Sequence, residues 1–180
     1  MKTTLIATAS VLAALTGCAM TPTMPVFMQD SLPDAVKVPA GQRVALETVG
    51  VGDITYECKA KAGMADAFEW AFVGPKAALN DRSGKTVGSY FGPPATWAAM
   101  DGSKITGTQL AVAPSSPGNI PLQLVKASAA MGSGAMTGIS HIQRVATKGG
   151  VAPAMPCAAA SMGQKQVVAY QADYIFYKAM

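Results

Sequence analysis

Short segments of alternating apolar and polar residues place the strongest constraint on the fold of this chain. In GDITYECKA, Ile54, Tyr56 and Cys58 fall on one side, and the residues between them are polar or charged. Successive side chains of a β-strand point to opposite faces, so this alternation predicts a strand with one buried face. Further strand-like segments are AFEWAFVGP, TVGSYFGPP, DGSKITGTQLAV, NIPLQLVKA, ISHIQRVAT and QVVAYQADYIFYKA.

Turn-forming residues separate these segments at short intervals. The strongest hairpin signal is Asp101-Gly102, and clusters of Asn, Asp, Ser, Gly and Pro stand between the other segments. No amphipathic helix of three turns is evident, although PKAAL and ATWAAM could form short helices. We therefore expect a mainly β fold: a single antiparallel β-sandwich or small β-barrel domain with at most short helices.

The N-terminus has the pattern of a bacterial lipoprotein signal. Lys2 precedes an uncharged apolar run, residues 5–15, which is shorter than the roughly 20 residues that span a bilayer. The run ends in a Leu-Thr-Gly-Cys lipobox, so residues 1–17 are the expected signal peptide and Cys18 is the expected lipidation site. Ala19 follows, where aspartate would favour the inner membrane, so we expect the outer membrane. An ordinary cleaved signal peptide with a chance cysteine is the alternative.

Residues 18–39 are expected to form a lipidated, extended tether to that membrane. They contain several prolines and follow neither the strand period nor the helix period, and proline resists packing into a hydrogen-bonded ladder. The folded domain is then residues 40–180, a length that suits one domain with one core.

The chain has three cysteines, so lipidation of Cys18 would leave Cys58 and Cys157 as a pair. Thiols outside the cytoplasm tend to oxidise, which predicts a disulfide between these two residues. They do not form a Cys-x-x-Cys motif, so a redox-active pair is not expected.

Charge and composition argue against several function classes. The formal net charge is only +4 and no run of basic residues is present, so nucleic-acid binding is not expected. Gly132, Gly134 and Gly138 lack the spacing of a dinucleotide-binding turn, and a flexible loop explains them better. One histidine and two oxidised cysteines cannot form a structural zinc site. We therefore expect neither a cofactor nor a metal.

An aromatic segment is the first candidate for function. YFGPPATWAAMDGSKITG combines Tyr90, Phe91 and Trp97 with a rigid Pro-Pro pair and the turn at Asp101. Aromatic residues on a rigid loop suit a ligand or partner surface. The alternative is a loop whose aromatic side chains fold back as a lid over the barrel, with Asp101 setting the turn.

His141 is the second candidate, because it is the only histidine and any imidazole acid–base chemistry must use it. Arg144 or Asp101 would be its electrostatic helper. In a strand, however, His141 shares a face with Ile139 and Val145, opposite Arg144. A half-buried histidine with a structural role is the alternative.

Several blocks of the chain resemble a known family. They are ITYECKA, WAFVGPKAALNDRSGKTVGSYFGPPATWAAMDGSKITG, ISHIQRVATKGGVAP and YQADYIFYK. In this order they resemble the family called domain of unknown function 3455, over nearly the whole chain from Ala40 to its end. The resemblance implies a secreted or envelope protein and no established activity.

We therefore expect a non-enzymatic envelope lipoprotein that binds a small ligand, a glycan or a protein partner. One alternative is an enzyme of unrecognised type that uses His141 as acid or base. Another is a lysozyme inhibitor, because other small β-barrel lipoproteins with a Tyr-x-Cys strand act in that way.

Overall fold

The computed structural model describes residues 27–180 and contains eight β-strands. In chain order they are β1 (Gln42–Ala60), β2 (Phe68–Asn80), β3 (Thr86–Phe91), β4 (Thr96–Ala99), β5 (Lys104–Ala113), β6 (Leu122–Ala127), β7 (Ile139–Gly149) and β8 (Lys165–Ala179). Two single-turn 3₁₀ helices, Asp34–Val36 and Ala159–Ser161, are the only helical elements in this part of the chain. The prediction of a mainly β fold with at most short helices is confirmed.

The strands form a closed antiparallel barrel. Each strand pairs with the next along the chain, and β8 pairs with β1 to complete the circle. The β1–β8 pairing runs from Gln42 opposite Ala179 to Glu57 opposite Lys165. Closure gives every strand a partner on both sides over at least part of its length. Of the two expected architectures, the barrel is the one observed.

β2 is longer than the sequence suggested, because it continues through Gly74-Pro75. Those residues were expected to end the strand, since proline cannot donate to a hydrogen-bonded ladder. A register shift between Thr55 and Tyr56 on β1 lies opposite them and accommodates the irregularity.

Inward-facing aromatic side chains fill the middle of the barrel. Trp97, Tyr174 and Phe176 have at most 1% of their surface exposed. Tyr90 stacks on Trp97 with ring centroids 4.8 Å apart, and Tyr174 lies against both rings. The interior of an eight-stranded barrel is just wide enough for side chains or one small ligand, and here side chains occupy its centre.

A second apolar cluster lies outside the barrel, beneath residues 27–38, which we call the N-terminal strap. Val36 and Val38 are buried there against outward-facing residues of the sheet, including Val145 and Ile175. The strap thus covers part of the outer barrel surface.

Gln143 on β7 fastens the N-terminal strap to the barrel through buried hydrogen bonds. Its Nε2 donates to the carbonyl oxygen of Val36 at 2.6 Å and to Oε1 of Gln29 at 3.0 Å. Its Oε1 accepts a hydrogen bond of 2.7 Å from the hydroxyl of Tyr177. The packed part of the chain therefore begins before residue 40, whereas an extended tether was expected up to residue 39. Two buried valines among prolines are too few to show a period in the sequence.

Because neighbouring strands are antiparallel, their connections alternate between the two ends of the barrel. The β1–β2, β3–β4, β5–β6 and β7–β8 connections lie at one end, which we call the open end, and the others lie at the closed end. Met136, in the β6–β7 connection, is 1% exposed and packs into the interior cluster from the closed end.

A disulfide between Cys58 and Cys157 joins β1 to the β7–β8 connection at the open end. Its presence confirms the pairing predicted from the sequence. The two residues are 99 positions apart, and a loop of about 100 residues corresponds to at most about 4.7 kcal/mol of stabilisation in the chain-entropy model.

Candidate functional site

A cavity of about 350 Å³ lies at the open end of the barrel. It forms because β4 is short and pairs with β5 only at Thr96, Trp97 and Ala98, so β5 has no β4 partner beyond Thr106. The β3–β4 turn, residues 92–95, stands beside this gap in the wall. The volume is at the small end of the range of about 300–1,000 Å³ that is typical of small-molecule sites.

The cavity lining separates into an apolar wall and a polar edge. The apolar residues are Phe72, Pro75, Tyr90, Pro93, Ala95 and Val125, and the polar residues are Gln109, Gln123 and Arg144. Phe72 is 57% exposed and stands at the rim, whereas Tyr90 and Val125 are buried. Small-molecule sites usually combine an apolar wall with a few convergent polar groups in this way.

Arg144 on β7 places a positive charge at the cavity. Its neighbours across the sheet are Gln123 on β6 and Tyr174 on β8. Its Nε and Nη2 both donate to the carbonyl oxygen of Pro121, at 3.2 and 2.9 Å. No carboxylate within residues 27–180 forms an ion pair with it, so its charge is not neutralised by that part of the protein.

Gln109 and Gln123 form the rest of the polar edge. The Nε2 of Gln123 donates a hydrogen bond of 2.7 Å to Oε1 of Gln109. The amide nitrogen of Gln109 and the carbonyl oxygen of Gln123 have no protein partner among the described residues. The edge therefore offers a ligand both a donor and an acceptor next to the guanidinium.

Buried tyrosines lie beneath the cavity. The hydroxyls of Tyr170 and Tyr174 are 3.2 Å apart, and the ring of Tyr90 is 5.0 Å from that of Tyr174. Burial raises the pKa of Tyr90, raises the pKa of Tyr170 to about 12 and raises the pKa of Tyr174 well above its ordinary value. The nearby charge of Arg144 opposes these shifts only in part. All three hydroxyls are therefore neutral near pH 7, and none supplies a negative charge to Arg144.

His141 lies on the outer face of β7 and not in the cavity. It pairs across the sheet with Lys126 and Tyr177, and its Nδ1 is 3.1 Å from Oγ of Ser140. Partial burial, followed by the charge of Lys126, lowers the pKa of His141. Arg144 faces the other side of the same strand, so the structure does not bring these two candidate catalytic residues together.

The aromatic candidates occupy separate places. Tyr90 and Trp97 belong to the interior stack, and Tyr90 also contributes to the cavity. Phe91 points to the outside of the barrel and is 43% exposed. The arrangement is closer to the alternative in which the aromatic side chains fold back onto the barrel than to one continuous exposed surface.

Asp101 lies at the closed end, away from the cavity, in the turn between β4 and β5. Its Oδ1 accepts hydrogen bonds from the backbone N–H and the hydroxyl of Ser103. Its Oδ2 accepts one from the backbone N–H of Ala135, in the β6–β7 connection. These hydrogen bonds, led by the Ser103 hydroxyl, lower the pKa of the Asp101 carboxyl. Asp101 therefore links two loops.

A larger depression of about 880 Å³ lies along β2, β3 and β4. It includes the exposed side chains of Phe91 and Met100, with Asp53 and Lys76 at its border. Its charged groups are one acid and one base on neighbouring strands, and none is buried. We therefore take the smaller cavity, which contains an unneutralised cation, as the candidate site.

Gln109 and Gln123 are site residues that the sequence analysis missed. In NIPLQLVKA, alternation places the apolar residues Ile120, Leu122 and Leu124 on one face, which predicts that this face is the buried one. In the structure, Gln123 and Val125 line the cavity, while Leu122 and Leu124 pack under the N-terminal strap. The alternation separates these two faces and was a usable signal. It does not identify the face that lines the cavity, because both faces of this strand are covered in the structure.

The described residues give two further results. Between residues 27 and 180, no group of three His, Cys, Asp or Glu side chains is arranged to hold a metal ion. No helix in that range is long and apolar enough to cross a membrane.

A sequence model of the family described as Protein of unknown function (DUF3455) matches residues 39–178. The match covers every cavity residue and nearly the whole barrel, and it confirms the resemblance inferred from the sequence blocks. Comparison with curated proteins and with solved structures finds no match for the chain.

Proposed function

Because this chain belongs to the DUF3455 family, described only as being of unknown function, we propose its function from its structure: it binds a small molecule in the open-end cavity. The observation that carries the proposal is the guanidinium of Arg144, which faces this cavity without an ion-pair partner in residues 27–180. Arg144 is half-buried, and an oriented cation at a cavity edge that is not paired with a carboxylate offers strong hydrogen bonds to an anionic group, which suggests a ligand.

The make-up of the lining supports binding rather than chemistry. The polar groups of the lining are the guanidinium of Arg144 and the amides of Gln109 and Gln123. Such groups bind and orient a ligand, but they do not exchange protons with it. The opposite wall, which includes Pro75 and Pro93, offers rigid apolar surface. We therefore propose a binding module with a mostly preformed site.

We propose further that the chain is a lipoprotein of the cell envelope, anchored through Cys18 and held at the outer membrane. The apolar run and the lipobox support this location, although Cys18 itself lies outside the described residues. The disulfide between Cys58 and Cys157 also supports an oxidising compartment. The intact mass of the unreduced protein, extracted from its own membranes, tests the location. A chain that begins at Cys18 and carries acyl mass is expected, and a chain that retains Met1 would contradict the proposal.

Native mass spectrometry of the protein purified from its own cells tests the binding function. We expect an adduct that is lost under denaturing conditions, since a non-covalent ligand leaves when the barrel unfolds. In Ala95→Phe, a large ring replaces a small cavity residue, so the adduct should be absent. The matched control is Ala129→Phe, which adds the same ring to an exposed position in the β6–β7 connection at the closed end.

Thermal unfolding and circular dichroism establish that both variants are folded. If the adduct persists in Ala95→Phe and the variant is folded, the ligand does not occupy this cavity. If the unmodified protein carries no adduct and no small molecule restores one, the proposed function is wrong.

A further inference from the structure

The open-end cavity has the chemistry of a site for one carboxylate on a small apolar body. We propose that the ligand is such a monocarboxylate and that its carboxylate binds the free end of the Arg144 guanidinium. This inference rests on the proposed function, because it names the class of molecule that the same cavity accepts.

The hydrogen bonds of Arg144 determine which of its donors are free. A guanidinium carries five N–H donors. Nε and Nη2 each donate one N–H to the carbonyl oxygen of Pro121. The pair of donors along the side of the guanidinium is therefore already engaged. One N–H on each terminal nitrogen remains for the end-on pair, and two parallel N–H donors match the two oxygens of a carboxylate.

The charges around the cavity indicate a ligand with a single negative charge. Arg144 is the one cation among the lining residues that the structure describes, and that lining includes no carboxylate. The hydroxyls of Tyr90, Tyr170 and Tyr174 are neutral near pH 7 because they are buried. A monoanion therefore balances the site, whereas a dianion such as a phosphate monoester would leave one charge uncompensated.

The rest of the lining indicates the body of the ligand. Phe72 and Pro93 are exposed and form an apolar rim, and Pro75, Val125 and the ring of Tyr90 are buried. Burial of apolar ligand surface against these groups favours binding. The cavity is small, about 350 Å³, so a single ring or a short hydrocarbon chain suits it better than a long acyl chain.

The Pro121 carbonyl has a positioning role in this scheme. It lies immediately before β6 and holds the guanidinium at the cavity edge in the absence of a ligand. Holding a long side chain in its binding orientation lowers the entropy lost on association. The amide nitrogen of Gln109 is the neighbouring donor that could support the same carboxylate.

Isothermal titration calorimetry near pH 7 tests the proposal with three probes that share a phenyl ring and a two-carbon linker. These probes are 3-phenylpropionate, its neutral amide 3-phenylpropanamide, and 2-phenylethyl phosphate, a phosphate monoester that is mostly dianionic at this pH. We expect the carboxylate to bind about tenfold or more tightly than the amide, because hydrogen bonds to charged groups are the stronger ones. We also expect it to bind more tightly than the phosphate monoester, whose second charge the site does not balance.

Variants of the anchoring residue make the test specific. Arg144→Met should abolish the preference for the carboxylate over the amide, because it removes the charge and keeps an apolar side chain. Arg144→Lys should retain part of the preference, because lysine supplies a positive charge but not the two parallel N–H donors of a guanidinium. Arg43→Met is the matched control, since Arg43 is exposed at the start of β1, at the closed end, and its loss should leave binding unchanged.

Three outcomes overturn the inference but leave the proposed function in place. The first is equal affinity for the carboxylate and the amide in the unmodified protein. The second is a preference for the carboxylate that Arg144→Met leaves unchanged. The third is tighter binding of the phosphate monoester. In each case, binding that Ala95→Phe abolishes still supports a small-ligand site. The comparison of probes in the unmodified protein does not depend on the folding of any variant.

If none of the three probes binds, the monocarboxylate inference is contradicted. The native mass spectrum then decides independently whether the proposed binding function also fails. An adduct without a carboxylate that disappears in Ala95→Phe would contradict the inference alone, and the absence of any adduct would contradict both.

Discussion

Asp101 and Arg144 lie at opposite ends of the barrel and differ in what satisfies their charges. The carboxylate of Asp101 accepts three hydrogen bonds from Ser103 and Ala135. The guanidinium of Arg144 donates only to the carbonyl oxygen of Pro121 within the described residues. The carboxylate of Asp101 is therefore satisfied inside the fold, whereas the guanidinium of Arg144 is free for a ligand. We assign a stabilising role to Asp101 and a binding role to Arg144.

At the residue scale, Asp101→Ala should lower Tm and leave ligand binding at the open-end cavity unchanged. Hydrogen bonds depress the pKa of Asp101, so its stabilising effect is present above the ordinary aspartate pKa of about 3.9 and is lost as the pH falls below it. The difference in Tm from the unmodified protein should therefore shrink in acid. Differential scanning calorimetry across pH measures this.

Asp53→Ala is the control for Asp101→Ala, because Asp53 is exposed on β1 and makes no hydrogen bond or ion pair with the described residues. Its replacement should not change Tm. An equal Tm for Asp101→Ala and the unmodified protein at neutral pH would show that the closed-end loops do not depend on this carboxylate.

At the element scale, the N-terminal strap acts as an outer layer of the domain. Val36 and Val38 fill a cluster that the sheet alone would expose, and Gln143 provides a hydrogen-bonded anchor for both the strap and Tyr177. The strap lies over the outward face of the same strands whose inner face forms the cavity. It therefore shields apolar side chains on the back of β6 and β7.

Val36→Ala should destabilise the domain by about 2 kcal/mol, even though Val36 falls in the segment expected to be a tether. The reason is the loss of two buried methyl groups together with the cavity that they leave. Urea unfolding monitored by circular dichroism measures the change. Met28→Ala is the control, because Met28 is in the same segment and 67% exposed. Equal unfolding midpoints for both variants would mean that the N-terminal strap does not pack on the barrel in solution.

At the scale of the whole molecule, every tyrosine of the chain is buried in the barrel or under the N-terminal strap. The five tyrosines are Tyr56, Tyr90, Tyr170, Tyr174 and Tyr177. Burial is the largest cause that raises the pKa of each, to about 12 for Tyr170 and for Tyr177. The fold thus keeps five phenols neutral that would ionise near pH 10 in an unfolded chain.

Raised tyrosine pKa values predict a loss of stability in alkali. Between about pH 10 and 12 the unfolded chain binds fewer protons than the native chain, so the free energy of unfolding falls as the pH rises. Tyrosinate absorbance should therefore appear late and together with loss of the near-ultraviolet circular dichroism. Gradual ionisation near pH 10 in a protein that stays folded would contradict the buried aromatic core.

Seven of the eight strands could be predicted from the sequence, because alternation is a local property of each segment. β4 (Thr96–Ala99) was missed, since ATWAAM, like PKAAL in β2, was interpreted as a possible short helix and both are strand in the structure. The closure of the strands into a barrel could not be predicted, because it depends on β1 pairing with β8 across almost the whole chain. The division of β7 into a face with Ile142 and Arg144 and a face with His141 and Val145 was also predicted. Ile139 was wrongly placed with the second group, because a register shift between Ile139 and His141 turns it inward.

The candidate site was harder to predict, because it depends on which strand is short. Arg144 was selected as a helper of His141, and nothing in the alternation of ISHIQRVAT shows which face lies inside the barrel. The cavity exists because β4 has four residues and leaves β5 partly uncovered. Gln109 and Gln123 come together through the pairing of β5 with β6, and both line the cavity. A single sequence contains no local signal for this arrangement.

The central claim is that the open-end cavity is the ligand site, and an amide NMR titration with 3-phenylpropionate tests it most directly. We predict that the resonances of Gln109, Gln123, Val125 and Arg144 shift together with one affinity, while those at the closed end, such as Ala135, do not move. Shifts confined to the outer surface around His141 or Phe91, or no shifts at saturating probe, would contradict the claim.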